Sequence, residues 1–226
     1  MCILSISSDV KALQNIIDVP STQVLEKNTF LLKESTNVFP YGDERVQVTP
    51  SISFGLGHGF EGSVSLPVNI NFSEGLATEK IRLKGKKTFY LGNENNRFMI
   101  SGGIIPSLNM PVCPDMQVYA LFAKRIPKTL TTITAGGYMV GDQHFLNTGG
   151  VVLALEQGFF EDRFKVVTEW TSGYNSRSNW AVGMKFRPVK DLSITTAVIM
   201  PNNEYDNIGF KLTLSKTIRM GEKEEL

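Results

Sequence analysis

The sequence predicts an all-β chain: an antiparallel up-and-down transmembrane β-barrel of about twelve strands, preceded by a short N-terminal helix. Three observations predict it. Alternating apolar and polar segments recur along most of the 226 residues. Their polar faces are mostly Ser, Thr, Asn, Gln, Gly and Ala, where a sheet with one wet face would carry Lys and Glu. Their connections alternate between tight and long, as the two rims of a membrane barrel require.

Taken in order, Val10, Leu13, Ile16 and Ile17 are spaced for successive helical turns, and Pro20 ends the pattern, so a short amphipathic helix is expected there. Twelve strand-like segments follow, near 27–38, 45–56, 60–72, 79–90, 97–106, 116–126, 129–140, 149–158, 163–171, 178–187, 191–200 and 206–218. Five alternate cleanly. In the second, Val46, Val48, Ile52, Phe54 and Leu56 oppose Gln47, Thr49, Ser51, Ser53 and Gly55. The third sets Val64, Leu66, Val68 and Ile70 against Ser63, Ser65, Asn69 and Asn71. Trp180, Val182, Met184 and Phe186 form the apolar face of the tenth, Leu192, Ile194, Val198 and Met200 that of the eleventh, and Ile208, Phe210, Leu212 and Leu214 that of the twelfth. The sixth and seventh segments are apolar on both faces, with Tyr119, Leu121 and Ala123 against Val118, Ala120 and Phe122, and alternation does not orient them. The organisation expected is an N-terminal segment over 1–20, a barrel over 21–218 and a charged tail over 219–226.

Tight connections fall at Gly57-His-Gly59, Ile126-Pro-Lys128, Phe159-Phe-Glu-Asp162 and Pro188-Val-Lys190, with an intermediate turn at Gly92-Asn-Glu-Asn-Asn96. Long ones fall at 39–44, 73–78, 106–115, 141–148, 173–177 and 201–205. The tight turns recur every ~30 to 35 residues, so the repeating unit is a hairpin. Closure of an even-stranded meander answers the demand that no edge amide meet lipid.

Composition excludes several classes of function. With 23 basic against 22 acidic residues, no charge excess points to nucleic acid. Cys2 and Cys113 form neither a disulfide framework nor a zinc site, so no metal or cofactor is expected. Every apolar run is interrupted before the ~18 to 20 residues that a membrane helix needs. Met1-Cys-Ile-Leu-Ser-Ile-Ser-Ser lacks a basic n-region and reads as less than a complete signal peptide.

An apolar face turned outward places Arg82, Lys84, Lys86, Arg163, Lys165, Lys185, Arg187 and Lys211 in the lumen with Glu61, Glu156 and Glu169. Two readings of these charges stand side by side: a narrow passage favouring anions, and a ladder of salt bridges bracing the interior. Outer-membrane lipid and small solutes are the partners expected, with no nucleic acid. Trp170, Trp180, Tyr174 and Phe159-Phe160 lie near strand ends, where interfacial girdles sit. Alternation alone also allows a soluble barrel or sandwich that binds an apolar ligand or a protein; insolubility without detergent separates the two.

The phrase Pro20-Ser-Thr-Gln-Val-Leu-Glu-Lys-Asn-Thr-Phe30 resembles the opening of bacterial outer-membrane β-barrel proteins of the porin-like kind, with Asn28 at a usual glycine. Gln47-Val-Thr-Pro-Ser-Ile-Ser-Phe-Gly-Leu56 with Glu61-Gly-Ser-Val-Ser-Leu-Pro67 is similar to their second hairpin. Lys185-Phe-Arg-Pro-Val-Lys-Asp-Leu192 and Asn207-Ile-Gly-Phe-Lys-Leu-Thr-Leu214 are similar to their closing strands. The resemblance implies a bacterial outer-membrane location and a passive pore or structural role. Such barrels usually end on an aromatic residue, whereas this chain runs on past Ile218 into a charged tail. Twelve-stranded outer-membrane phospholipases resemble the same architecture and set a His beside a Ser on an outer strand face. Here His58 falls in a tight turn, and His144 is followed by Phe145-Leu-Asn147 with no such serine. No catalytic residue and no enzymatic activity are therefore expected.

Overall fold

The computed structural model describes residues 15–41, 44–72, 75–78, 80–92, 97–108, 115–141, 149–173, 178–202 and 207–220. These residues form β1 (Thr29–Phe39), β2 (Arg45–Gly57), β3 (Phe60–Ser65), β4 (Val68–Asn71), β5 (Gly75–Thr78), β6 (Ile81–Leu91) and β7 (Phe98–Leu108). They continue as β8 (Asp115–Ile126), β9 (Thr131–Gly141), β10 (Gly149–Phe159), β11 (Phe164–Thr171), β12 (Asn179–Val189), β13 (Leu192–Pro201) and β14 (Gly209–Arg219). The segments read from alternation match the strands to within a few residues, with two interruptions. The third strand breaks into β3 and β4 at Leu66-Pro67, where proline has no N–H for the ladder. Both halves pair with β2, and β4 in turn pairs with β5 while β3 pairs with β6. Fourteen segments thus make twelve staves of an antiparallel wall, closed where β1 pairs with both β14 and β2.

Connections at one rim are short. His58 and Gly59 turn β2 into β3 with φ of 51° and 78°, the left-handed pair that suits a two-residue hairpin. Pro127–Thr129 is a 3₁₀ turn closed by Leu130 at φ 53°. Phe160, Glu161 and Asp162 turn β10 into β11 with φ of 51°, 56° and 65°. The opposite, long-loop rim carries the connections that fall mostly outside the described residues.

Side chains sort by parity. Leu32, Ile52, Leu56, Phe122, Met184, Phe210 and Leu214 stand exposed on the outer wall, whereas Ser53, Thr88, Ser101, Thr134 and Thr195 are buried inside it. The apolar face therefore looks outward, as a lipid-facing wall requires. Near the short-turn rim the outer face carries aromatic rings capped by cations. Lys87 Nζ lies 3.9 Å from the Phe60 ring centre, Lys124 Nζ 4.5 Å from that of Phe98, and the Arg97 guanidinium 5.3 Å from that of Tyr90. Trp170 and Trp180 face each other in register at the long-loop rim, both exposed, with the Trp180 indole donating to Thr168 Oγ1 at 3.0 Å. Tyr174 lies outside the described residues.

The wall itself begins at Thr29. Residues 15–25, assigned from sequence partly to an N-terminal unit and partly to the barrel, run inside it, and 26–28 emerge exposed before β1. The expected helix over Val10 to Ile17 falls outside the described residues up to position 14, and Asn15 to Ile17 are not helical. Asn15 instead bridges to Pro20, and Ile16 N–H donates to the Val19 carbonyl at 2.8 Å, forming a tight loop.

Candidate functional site

The lumen is built by three layers of interaction. The first is apolar. Ile16, Ile17 and Val19 of the inner segment pack with Tyr119, Leu121, Val152, Val167, Ala181 and Ile199 on the inward faces of β8 to β13. Leu121 and Val167 are 0% exposed. This explains why the sixth and seventh segments could not be oriented: Tyr119, Leu121 and Ala123 face an apolar interior while Phe122 faces outward, so both sides are apolar for different reasons.

The second layer is a set of buried charges that grip the segment's backbone. Glu169 on β11 accepts from Ile17 N–H at 2.9 Å, Asp18 N–H at 2.6 Å and Val19 N–H at 3.2 Å. Three consecutive amides thus converge on one carboxylate, a concave arrangement that backbone N–H groups form around anions. Across the lumen, Glu61 on β3 accepts from Leu25 N–H at 2.9 Å and pairs with Lys86 Nζ at 3.2 Å. Lys86 donates to the Ser21 carbonyl at 3.2 Å and also to that of Gln23, and Thr88 Oγ1 donates to the Thr22 carbonyl at 2.8 Å. Lys185 donates to the Asn15 carbonyl at 3.0 Å and to Glu156 Oε1 at 3.3 Å. Lys211 pairs with Asp18. The segment leaves the lumen over Gly55, where a Cβ would overlap the Glu26 carbonyl, and turns at Asn28, whose φ of 60° is that of the glycine it stands in for.

The third layer closes the short-turn rim. Asp162 pairs with Arg125 and with Lys165, the latter at 3.5 Å. Burial alone would push the Asp162 carboxyl up, yet Lys165 and Arg125 beside it hold it below its ordinary value. The folded-state value lies below the unfolded one, which is about 4. Its contribution is therefore complete above about pH 4 and is lost as pH falls through the folded value. Asp162→Asn is expected to be less stable than the parent at neutral pH and to lose less stability on acidification below pH 4. Urea melts of the vesicle-folded barrel at pH 7 and pH 3 check this; equal acid sensitivity of the two proteins would reject it.

Of the residues placed in the lumen from sequence, Lys86, Glu156, Lys165, Glu169, Lys185 and Lys211 are buried within it. Arg82 and Lys84 line a vestibule that opens above the segment, and Lys84 Nζ donates to Asn15 Oδ1 at 3.5 Å. Arg187 is half-buried near the short-turn rim, its N–H donating to the Arg163 carbonyl at 2.8 Å. Arg163 itself sits in the turn before β11, exposed, where strand parity no longer sets direction. Sequence reading missed Lys33 and Arg45, which also line the vestibule. Both share a strand face with polar residues, Ser35 and Asn37 on β1 and Gln47 and Thr49 on β2, so parity would have found them. Asp18 and Asp162 carried no such signal, because neither lies in a strand.

The vestibule has a volume of about 740 Å³. Among the described residues, Lys33, Arg45, Lys80, Arg82, Lys84 and Lys211 border it, with Asp18 the one carboxylate. His58 is exposed in its turn at the far rim, and His144 lies outside the described residues. No group of three or more His, Cys, Asp or Glu placed to hold a metal ion occurs among the described residues.

No protein-family model matches the chain, and no curated protein matches it in sequence. Solved structures do. The outer membrane phospholipase A from Escherichia coli matches with a TM-score of 0.51 and 8% identity, over 91% of this chain and 98% of that one. The Acinetobacter baumannii outer membrane protein Omp33 follows with a TM-score of 0.48 and 12% identity, over 87% and 100%. A porin of Rhodopseudomonas blastica gives 0.40 and 7%, over 84% and 99%. At these identities the likeness is one of fold. It nevertheless corrects one expectation: the architecture matched at 0.51 is that of an enzyme, so the reading of this chain as lacking enzymatic activity is withdrawn. His-Ser adjacency, used above to exclude that class, tests one catalytic arrangement and leaves the fold's capacity for catalysis untouched. The wall, its outward apolar face and the likeness to the phospholipase barrel together make the chain a closed twelve-strand antiparallel barrel of the architecture built by bacterial outer-membrane proteins.

Proposed function

We propose that this barrel resides in a bacterial outer membrane and gives passive passage to small anions, with its own residues 15–25 as the closure. The observation that carries the reading is the charge of the vestibule, six cations to one carboxylate among the described residues, set directly above the inner segment that fills the lumen. Low-dielectric walls focus the field of such a ring and raise the local concentration of anions. The salt-bridge ladder and the passage, which stood as alternatives in the sequence, occupy different levels. Carboxylates meet cations pairwise below, at Glu61 with Lys86, Glu156 with Lys185 and Asp162 with Lys165, and cations prevail above.

Single-channel recording in planar bilayers tests the proposal. The intact chain is expected to be mostly closed. A chain starting at Glu26, folded as judged by its heat-modifiable gel mobility, is expected to conduct steadily, with a reversal potential in a salt gradient that reports anion selectivity. A folded but silent barrel in the shortened form, or cation selectivity, would overturn it.

A further inference from the structure

The vestibule is divided in character as well as in charge. Its cations stand on one arc of the wall, with Lys33 on β1, Arg45 on β2 and Lys211 on β14. The opposite arc, β7 to β13, is richer in apolar side chains: Ile105 and Val140 border the same space beside the nearly buried Val152 and Ile199, with Gln117 and Asn179 among them. The floor between the arcs is Val19 and Pro20 of the inner segment. Lys33 Nζ has no hydrogen-bond or ion-pair partner among the described residues, and the Arg45 guanidinium lies 4.7 Å over the Phe39 ring with no carboxylate among them. A lumen that served only hydrated inorganic ions would gain nothing from an apolar arc, since such ions keep their water and apolar surface offers them no contact. A cavity of about 740 Å³ with one basic side and one side richer in apolar groups has the size and make-up of a site for a small organic molecule.

We propose that the vestibule binds an amphiphilic anion, its acidic head among Lys33, Arg45 and Lys211 and its hydrocarbon body along Ile105 and Val140. The inference rests on the passage reading only for the route by which the ligand would leave. The head is a carboxylate or a phosphate, the two anions that cationic side chains hold by charge-assisted hydrogen bonds. The body is short, because the inner segment closes the space beneath it.

Isothermal titration of the full chain folded in lipid nanodiscs tests this, with empty discs subtracted. The probes are octanoate and octyl phosphate, against acetate and inorganic phosphate for the head alone and octanol for the tail alone. At least one of the two amphiphiles is expected to bind at least tenfold more tightly than both its bare head and octanol, and which of them does identifies the head. Lys33→Gln, on the basic arc, and Val140→Ser, on the apolar arc, are each expected to weaken that binding at least fivefold while heat-modifiable mobility is retained. Either variant suffices if the other fails to fold. Binding of acetate or phosphate as tight as that of the amphiphiles, octanol as tight as both, or folded variants with unchanged affinity would overturn the proposal. Binding without conductance would remove the passage and leave the site.

Discussion

Glu169→Gln is expected to release the inner segment while leaving the wall closed. The carboxylate holds the amides of Ile17, Asp18 and Val19 at 2.6 to 3.2 Å. Hydrogen bonds to a charged acceptor contribute ~1.5 to 3 kcal/mol each. An amide side chain keeps one acceptor oxygen and turns an NH₂ toward the remaining donors, so at least one buried N–H loses its partner. The apolar packing of Ile16 and Ile17 survives, and the docking free energy of the segment is expected to fall by about 3 kcal/mol. Wall pairing is unaffected, because no β-ladder bond involves the Glu169 side chain. The measurement is maleimide labelling of a Thr22→Cys background, a buried position gripped through its carbonyl by Thr88. Labelling through segment opening is expected to accelerate about a hundredfold in Glu169→Gln, since 1.4 kcal/mol corresponds to about tenfold. An unchanged rate would mean that the three amides do not hold the segment.

The larger loss is expected from Glu61→Gln. The side chains of Lys86 and Glu61 are 0% and 1% exposed, and Glu61 also takes the Leu25 amide. Exposed ion pairs contribute about 0 to 1 kcal/mol, but removing one member of a buried pair leaves a charge that neither water nor a counter-ion relieves. That costs about 3 to 5 kcal/mol. The Ser21 and Gln23 carbonyls still accept from Lys86, yet they are dipoles and do not neutralise it. Urea melts in lipid vesicles, read by tryptophan fluorescence, should show this loss, and the double variant Glu61→Leu with Lys86→Met should recover much of it. A loss under about 1 kcal/mol for the single variant would show that water reaches the pair.

The wall was legible in the sequence because its two solvents differ. Lipid outside and a polar lumen inside impose a period of two that Val46 to Leu56 or Trp180 to Phe186 spell out residue by residue. Turn chemistry at Gly57-His-Gly59 was equally local and equally readable. What alternation could not show was the filling of the lumen. Leu13, Ile16 and Ile17 have helical spacing, yet Ile16 and Ile17 are buried in a tight loop against Leu121 and Val167. Their surroundings lie about 150 residues away in the chain, as the contact of Ile17 with Glu169 illustrates, and no local pattern encodes them. The same distance hid the roles of Asp18 and Asp162. Of the eleven lumen charges named from sequence, Arg163 alone stands exposed, at a boundary where a single turn residue changes which way a side chain points.

The inner segment also constrains the order in which the molecule can assemble. It precedes β1 in the chain, but it is held by Glu61, Lys86, Glu169, Lys185 and Lys211, partners that arrive successively and span nearly the whole sequence. The last of them, Lys211, lies on β14, the strand that zips against β1 from Thr29 to Val38. Its bond to Asp18 closes a loop of 193 residues, so the entropic cost of closure falls late. Asn28 joins both events: its N–H donates to the Gly55 carbonyl at 3.3 Å, and its own carbonyl accepts from Met220 N–H at 3.0 Å, just beyond the seam. Docking of the segment is therefore complete only once the seam that Asn28 joins has formed.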